Sequence, residues 1–254
     1  MGFRRFRYVA LVSLLAVFVF PLTVGWADSQ VSGRWQKTRE FSNSEYVGKM
    51  SFAVTYFSSE YIQAEVMAEA EKNLWTADEM ENYKYQYLKT LRLDECIPFF
   101  IRIVNNGPSM HMAPFGDQFT LWIGKKKYKP VDYDKRFNFS LTGEREGFVY
   151  FQRYDEETGD SLLDGVNTIR LVVNSGISAF TIGAGNFDFL WDIGRDNPES
   201  LGSGKAAEKL EADRLIKRLK RLNDEKSELE SQLDVTNAEI QKVETRLAEI
   251  QQGD

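Results

Sequence analysis

Between Ala212 and Ile250 apolar side chains return every three or four residues. With Ala212, Leu219, Lys226, Leu233, Ile240 and Leu247 at position a of a heptad, Leu215, Leu222, Leu229, Thr236, Val243 and Ile250 fall at d. All but Lys226 and Thr236 are apolar, and neither Gly nor Pro interrupts the run from Lys205 to Gln252. The spacing predicts one coiled-coil helix over 205–252, of which Ala212 to Ile250 alone would extend roughly 57 Å at 1.5 Å per residue. Such a seam is unstable alone in water, so it calls for a protein partner, in the same chain or another. The flanking positions restrict the choice. In a parallel homodimer each g residue meets the following e residue of its mate, which pairs Glu225 with Glu230 and Glu239 with Glu244, both repulsive. Lys226 at a and Thr236 at d weaken the centre further, so an antiparallel, higher-order or hetero-partner bundle is as good a reading as a parallel dimer.

The other end of the chain has a different grammar. Arg4, Arg5 and Arg7 precede an uncharged run from Tyr8 to Ala27, and Gly25-Trp26-Ala27 places small residues where a signal peptidase reads them. Residues 1–27 are therefore read as a signal peptide cut before Asp28. The protein would then be exported, to the periplasm or cell surface of a bacterium. An uncleaved anchor is the competing reading, because about twenty uncharged residues just span a bilayer. Membrane contact is expected only in that case. No Cys follows the apolar run, so lipoprotein attachment is not available.

Removing residues 1–27 takes away three Arg and no acid, so the formal charge moves from −6 to −9. An acidic chain argues against nucleic acid or anionic lipid as the main partner, since each needs a cationic face. With 43% hydrophobic and 28% charged residues the chain has enough apolar content for one packed domain plus an appendage. The lone Cys96 reads as a small buried hydrophobe, with an intermolecular disulfide as the alternative.

Residues 28–48 are polar without clear period and are expected to form an extended leader. Met50, Phe52, Val54 and Tyr56 then alternate, which predicts a strand over Lys49 to Phe57. Between 59 and 93 the period becomes helical, and Thr76-Ala-Asp-Glu79 spells a capping box, so two helices broken near Trp75 form an insertion. The second carries Met80, Tyr83, Tyr87, Leu88 and Leu91. After Ile97 the expected strands are Pro98 to Val104, ended by Asn105-Asn106-Gly107-Pro108, then a hairpin of Phe119 to Ile123 with Lys125 to Lys129. Further strands are expected at Arg136 to Leu141, Gly147 to Arg153, Asn167 to Val173, Ile177 to Thr181 and Phe187 to Asp192. This pattern predicts a mainly β fold, an antiparallel β-sandwich over 49–193 with a helical insertion at 59–93. Residues 194–204, rich in Gly, Ser, Asn and Pro, read as a linker to the helix.

The runs "FFIRIVNNGPSMHMAPF", "LWIGKKKYKP" and "GFVYFQR" resemble the immunoglobulin-like domains of unknown function common in exported bacterial proteins. There an alternating strand ends in an Asn-Asn-Gly turn and a later strand alternates Gly with aromatics. The resemblance covers roughly Met50 to Gly194 and implies an immunoglobulin-like sandwich. The helical insertion departs from it, as does the want of paired Cys and a core Trp as a set. It implies no catalytic or binding residues.

Candidate chemistry is sparse. Gly159-Asp160-Ser161-Leu162 spells a serine-esterase signature, but the only His, His111, lies upstream, and a Ser without a general base is inert. A polar turn is the preferred reading. Met110, His111 and Met112 offer thioether and imidazole donors suited to Cu(I). If that segment is extended, successive side chains point to opposite faces and cannot converge. Asp155, Glu156, Glu157 and Asp160 lack the spacing of a calcium loop and read as a solvated turn. Gly183-Ala184-Gly185 has no helix after it and reads as a turn rather than a phosphate cradle. Lys217 to Arg221 reads as a solvated outer face of the helix, diluted by acids on both sides. One His and one Cys leave zinc, cysteine-protease and His-dependent chemistry without their usual residues.

The expectation is thus a non-enzymatic structural or interaction protein with no cofactor. Its contact seam would be Leu215, Leu219, Leu222, Leu229, Leu233, Ile240, Val243, Leu247 and Ile250. A ligand- or metal-binding module with Met110, His111 and Met112 is the alternative.

Overall fold

The alternation of Met50, Phe52, Val54 and Tyr56 does form a strand. In the computed structural model, which describes residues 29–183, 185–194, 196 and 204–252, β2 (Met50–Tyr56) buries all four of these side chains. It pairs antiparallel with β3 (Cys96–Met110), which pairs with β7 (Leu141–Gln152), and β7 with the two-residue β6 (Asp132–Tyr133). With β1 (Gln36–Phe41) at the far edge, the first sheet runs β1-β2-β3-β7-β6. A second sheet holds β4 (Phe119–Ile123), β5 (Lys126–Tyr128), β8 (Thr168–Val173) and β9 (Phe187–Asp192) in the order β5-β4-β8-β9. Both sheets are antiparallel throughout, and their buried faces share one core. Aromatic rings join them: Phe52 meets Phe187 at 5.4 Å between centroids, and Phe99 meets Trp191 at 5.3 Å. With its helices the chain is mixed α and β rather than mainly β.

The insertion between β2 and β3 is two helices, α2 (Ser59–Asn73) and α3 (Ala77–Thr90). The capping box forms as the sequence implies: Thr76 Oγ1 accepts from the Glu79 amide at 3.4 Å, and Glu79 Oε2 accepts from the Thr76 amide at 2.8 Å. The N-terminus of α2 is closed twice. Ser58 Oγ accepts from the Tyr61 amide, and Asp196, beyond β9, accepts from the Ser59 amide at 2.9 Å. Burial nonetheless pushes the Asp196 carboxyl above its usual range.

Four expectations are corrected. The leader is part of the fold: α1 (Ser29–Trp35) leads into β1, an edge strand whose half-exposed faces need no alternation. Trp35 is only 1% exposed; its indole donates to Glu60 on α2 at 2.7 Å, and its carbonyl accepts from Trp191 Nε1 at 2.8 Å. Asn105 to Pro108 does not end β3. The strand continues to Met110 through an irregular register because the buried Asn105 amide donates to the Pro108 and Leu141 carbonyls, replacing ladder bonds. Arg136 to Leu141 is no strand before Leu141; Asp134 accepts from the Arg136 amide and starts a 3-10 turn at Lys135–Asn138 that buries Phe137. Ile177 to Thr181 is likewise turns, with the Thr181 hydroxyl donating to the Ser175 and Ser178 carbonyls. The signal segment lies outside the described residues, as does most of the 194–204 linker.

Candidate functional site

The uninterrupted run of helix formers yields α4 (Lys205–Gln252), the longest element of the chain. Its beginning is set by Gly204, whose φ of +106° suits a residue without Cβ. Its first turns lie on α3. Ala206 is buried and Leu210 packs on the core, while the Ala206 amide donates to Glu81 at 3.1 Å, an acid at the positive end of the helix. One helical turn further along α3, the Tyr85 hydroxyl donates to Asp213 at 2.8 Å, and Lys89 forms a short ion pair with the same carboxylate. Glu81, Tyr85 and Lys89 are spaced i, i+4, i+8, so one face of α3 meets one face of α4. The Lys89 and Tyr85 hydrogen bonds hold the Asp213 carboxyl below its ordinary value.

The next turns carry the basic run, and the structure corrects its reading as a solvated face. Lys217 bridges Asp94 at 2.8 Å and Glu95 at 2.7 Å in the turn after α3, and those bonds raise its ammonium pKa well above the ordinary range. The Asp94 side chain is 4% exposed, so the lysine is the charge that compensates a buried carboxylate. Arg214 lies 4.3 Å over the Tyr154 ring. Arg218 donates to the Thr158 carbonyl at 2.9 Å, and Arg221 reaches the Glu156 carbonyl at 3.5 Å. Gly159 makes room for this contact: a Cβ there would come 1.0 Å from Arg218 Nη1. The turn read as solvated is therefore docked through its carbonyls.

Residues 214, 217, 218 and 221 occupy one face of a helix by their i, i+3, i+4, i+7 spacing. Here the cationic face meets the body, and the apolar seam, about 100° round the helix, does not. The residues of the seam from Leu215 to Leu247, apart from Lys226 and Thr236, are 46 to 60% exposed. From Leu222 onward α4 leaves the body, with a shallow hollow between Leu222, Leu229 and Leu233 rimmed by Glu225, Lys226 and Glu230. Ile250 lies in α4 with its side chain outside the described residues.

A cleft of ≈340 Å³ separates this base from the body, lined by cations of α4 together with Arg92, Asp94, Glu95 and Glu156. Several of its charges have partners. Arg92 pairs with Asp132 at 2.9 Å and lies over Tyr150, and Asp155 accepts from the Glu157 and Thr158 amides, which lower its pKa. Cys96, at the cleft wall, is 3% exposed, and burial raises its thiol pKa.

The other sequence candidates do not assemble. Met110 and Met112 are buried in the core while His111 is exposed, so the two thioethers and the imidazole do not converge. Ser161 accepts from the Leu163 amide within a turn. Gly183 and Gly185 both have positive φ in a turn region, and Ala184 lies outside the described residues. Among the described residues no three His, Cys, Asp or Glu are grouped to hold a metal ion, and no helix is long and apolar enough to cross a membrane. A scan of protein-family models, a search of curated proteins and a search of solved structures each return no match.

Proposed function

We propose that the chain is a non-enzymatic, exported interaction protein of the bacterial envelope, an immunoglobulin-like β-sandwich module that presents a coiled-coil helix to a protein partner. The observation that carries this reading is the exposed seam of α4 beyond Leu222, held on a helix whose other face is anchored to the body. A seam of Leu, Ile and Val repeating through four heptads is unfavourable in water, and association that covers it is the usual remedy. The aromatic contacts between the two sheets support the sandwich, and the Arg-led apolar run at 4–27 supports export.

The test is photo-crosslinking in the cells that make the protein, with a photoreactive residue at Leu229 on the seam or at Ser231 on the opposite face. An adduct with a polypeptide from position 229 and none from 231 is the expected outcome. Equal absence of adducts from both positions would remove the docking role. Mass spectrometry of the exported chain should find Asp28 at its N-terminus.

A further inference from the structure

We infer that the partner of the projecting part of α4 is a second copy of this chain, paired antiparallel in one register. That register sets Leu222 opposite Leu247 of the second copy and Glu225 beside its Arg246. The inference rests on the reading of α4 as a docking helix and adds the identity and direction of what it docks.

Charge complementarity carries it. In antiparallel pairing, g residues meet g and e residues meet e across the seam, and the mates can slide only by whole heptads. With the twofold axis between Asp234 and Val235, Glu225 meets Arg246 on both sides of the dimer, Gln232 meets Glu239, Asn223 meets Glu244 and Glu230 meets Asn237. No like charges face each other. The next register one way sets Glu225 against Glu239 and Glu230 against itself; the next the other way sets Glu230 against Glu244 and Glu239 against itself. Parallel pairing opposes Glu225 with Glu230 and Glu239 with Glu244. Two steps toward the N-terminus, opposite charges meet again through Glu211 and Arg218. There Arg218 is already committed to the Thr158 carbonyl of the body, whereas Arg246 holds only an exposed pair with Glu249 of its own helix at 2.7 Å. Two steps the other way, Glu239 meets Arg246, but the overlap shrinks from 32 residues to the 18 of Leu233 to Ile250 and leaves Leu222 and Leu229 uncovered.

The polar seam positions fit the same register. Thr236 falls opposite Leu233, and its hydroxyl already donates to the Gln232 carbonyl at 2.9 Å, so it enters an apolar layer with its donor satisfied. Lys226 falls opposite Val243, its ammonium 3.6 Å from Glu230 of its own helix and facing Glu244 of the second copy. The overlap runs from Leu219 to Ile250, about 47 Å. From Leu222 on, that is the part of α4 that leaves the body, so the two bodies sit at opposite ends of a closed, isologous pair.

The sign of one substitution decides the direction. Glu225→Arg faces Arg246 in the antiparallel register but Glu230 in a parallel dimer. In sedimentation equilibrium of residues 28–254 it should weaken dimerisation about tenfold, and adding Arg246→Glu should restore most of that loss. In a Cys96→Ala background, Leu222→Cys alone should form no disulfide dimer, whereas its mixture with Leu247→Cys should. Tighter dimers from Glu225→Arg, or self-crosslinking of Leu222→Cys, would overturn the register. A chain that stays monomeric at every concentration would overturn self-pairing outright. A photo-adduct at Leu229 to a different polypeptide would then leave the docking role standing without it.

Discussion

The base and the projecting part of α4 are one helix of opposite charge, seven Lys or Arg against three acids in residues 205–221 and three against eight in residues 222–252, and they satisfy their surfaces in opposite ways. In the base, from Lys205 to Arg221, charged groups are spent on the body: Asp213 on Lys89 and Tyr85, Lys217 on Asp94 and Glu95, Arg218 on a backbone carbonyl. Beyond it the charges remain in solvent and the apolar seam stays uncovered. Charged contacts fix direction well and contribute little net stability, whereas apolar contacts do the reverse. In the proposed docking role the base aims the helix and the seam supplies the association energy. This division makes the two halves separable by mutation.

The seam gives the largest expected effect. Replacing Leu222, Leu229, Leu233 and Ile240 together with Glu should abolish assembly, since each removes roughly 1.5 kcal/mol or more of apolar burial per helix. The melting temperature of the two-sheet body, followed by near-ultraviolet circular dichroism, should stay within a degree or two. A large drop in the body's melting point would break the distinction between the halves. Gly159→Ala comes next. Its φ of +78° and the Arg218 guanidinium both oppose a Cβ, so the base should lose about 1–2 kcal/mol of docking, seen as faster hydrogen exchange in residues 205–221. Lys217→Ala should cost about 1 kcal/mol, because Asp94 stays buried without its cation while half of the lysine is already in water. Neither base substitution should change the mass per particle in light scattering.

Much of the body was legible because its signals are periodic and local. The capping box at Thr76 and Glu79, the alternation of β2 and the heptads of α4 each declare themselves within a few residues. The Met110–Met112 cluster was legible only in part: alternation would separate His111 from the thioethers if the segment were extended, whereas β3 ends at Met110 and leaves His111 exposed between two buried thioethers. What escaped has no local period. β1 is an edge strand whose Thr38, Arg39 and Glu40 stay in solvent, so only its partner β2 defines it. The docking of the base pairs Lys217 with Asp94 across 123 positions and Arg218 with a carbonyl that any residue at 158 would supply. Backbone acceptors carry no sequence signature, which is why a docked cationic face read as a solvated one. The seam was legible as a stripe, but which side of α4 faced the body was not.

Acid gives the smallest expected effect and the finest separation of the halves. Asp213 is held below its ordinary value of 3.8 by the Lys89 and Tyr85 hydrogen bonds, so its contribution to docking is present above 3.8 and lost as the pH falls through the lowered value. Lys217 has the opposite sign. Its pKa is raised above 10.5, so its contribution is complete below 10.5 and is lost only as the pH rises through the raised value. Base docking should therefore be strongest across the whole neutral range. Asp213→Asn should melt below wild type at pH 7, and the gap should close in strong acid, where both chains carry an uncharged group at 213. Lys217→Ala should keep its deficit across the neutral range, because the lysine is fully charged throughout it. If both gaps closed together in mild acid, the two contacts would be titrating as one unit. The base would then be a single electrostatic patch rather than two independent clasps on either side of the α3 turn.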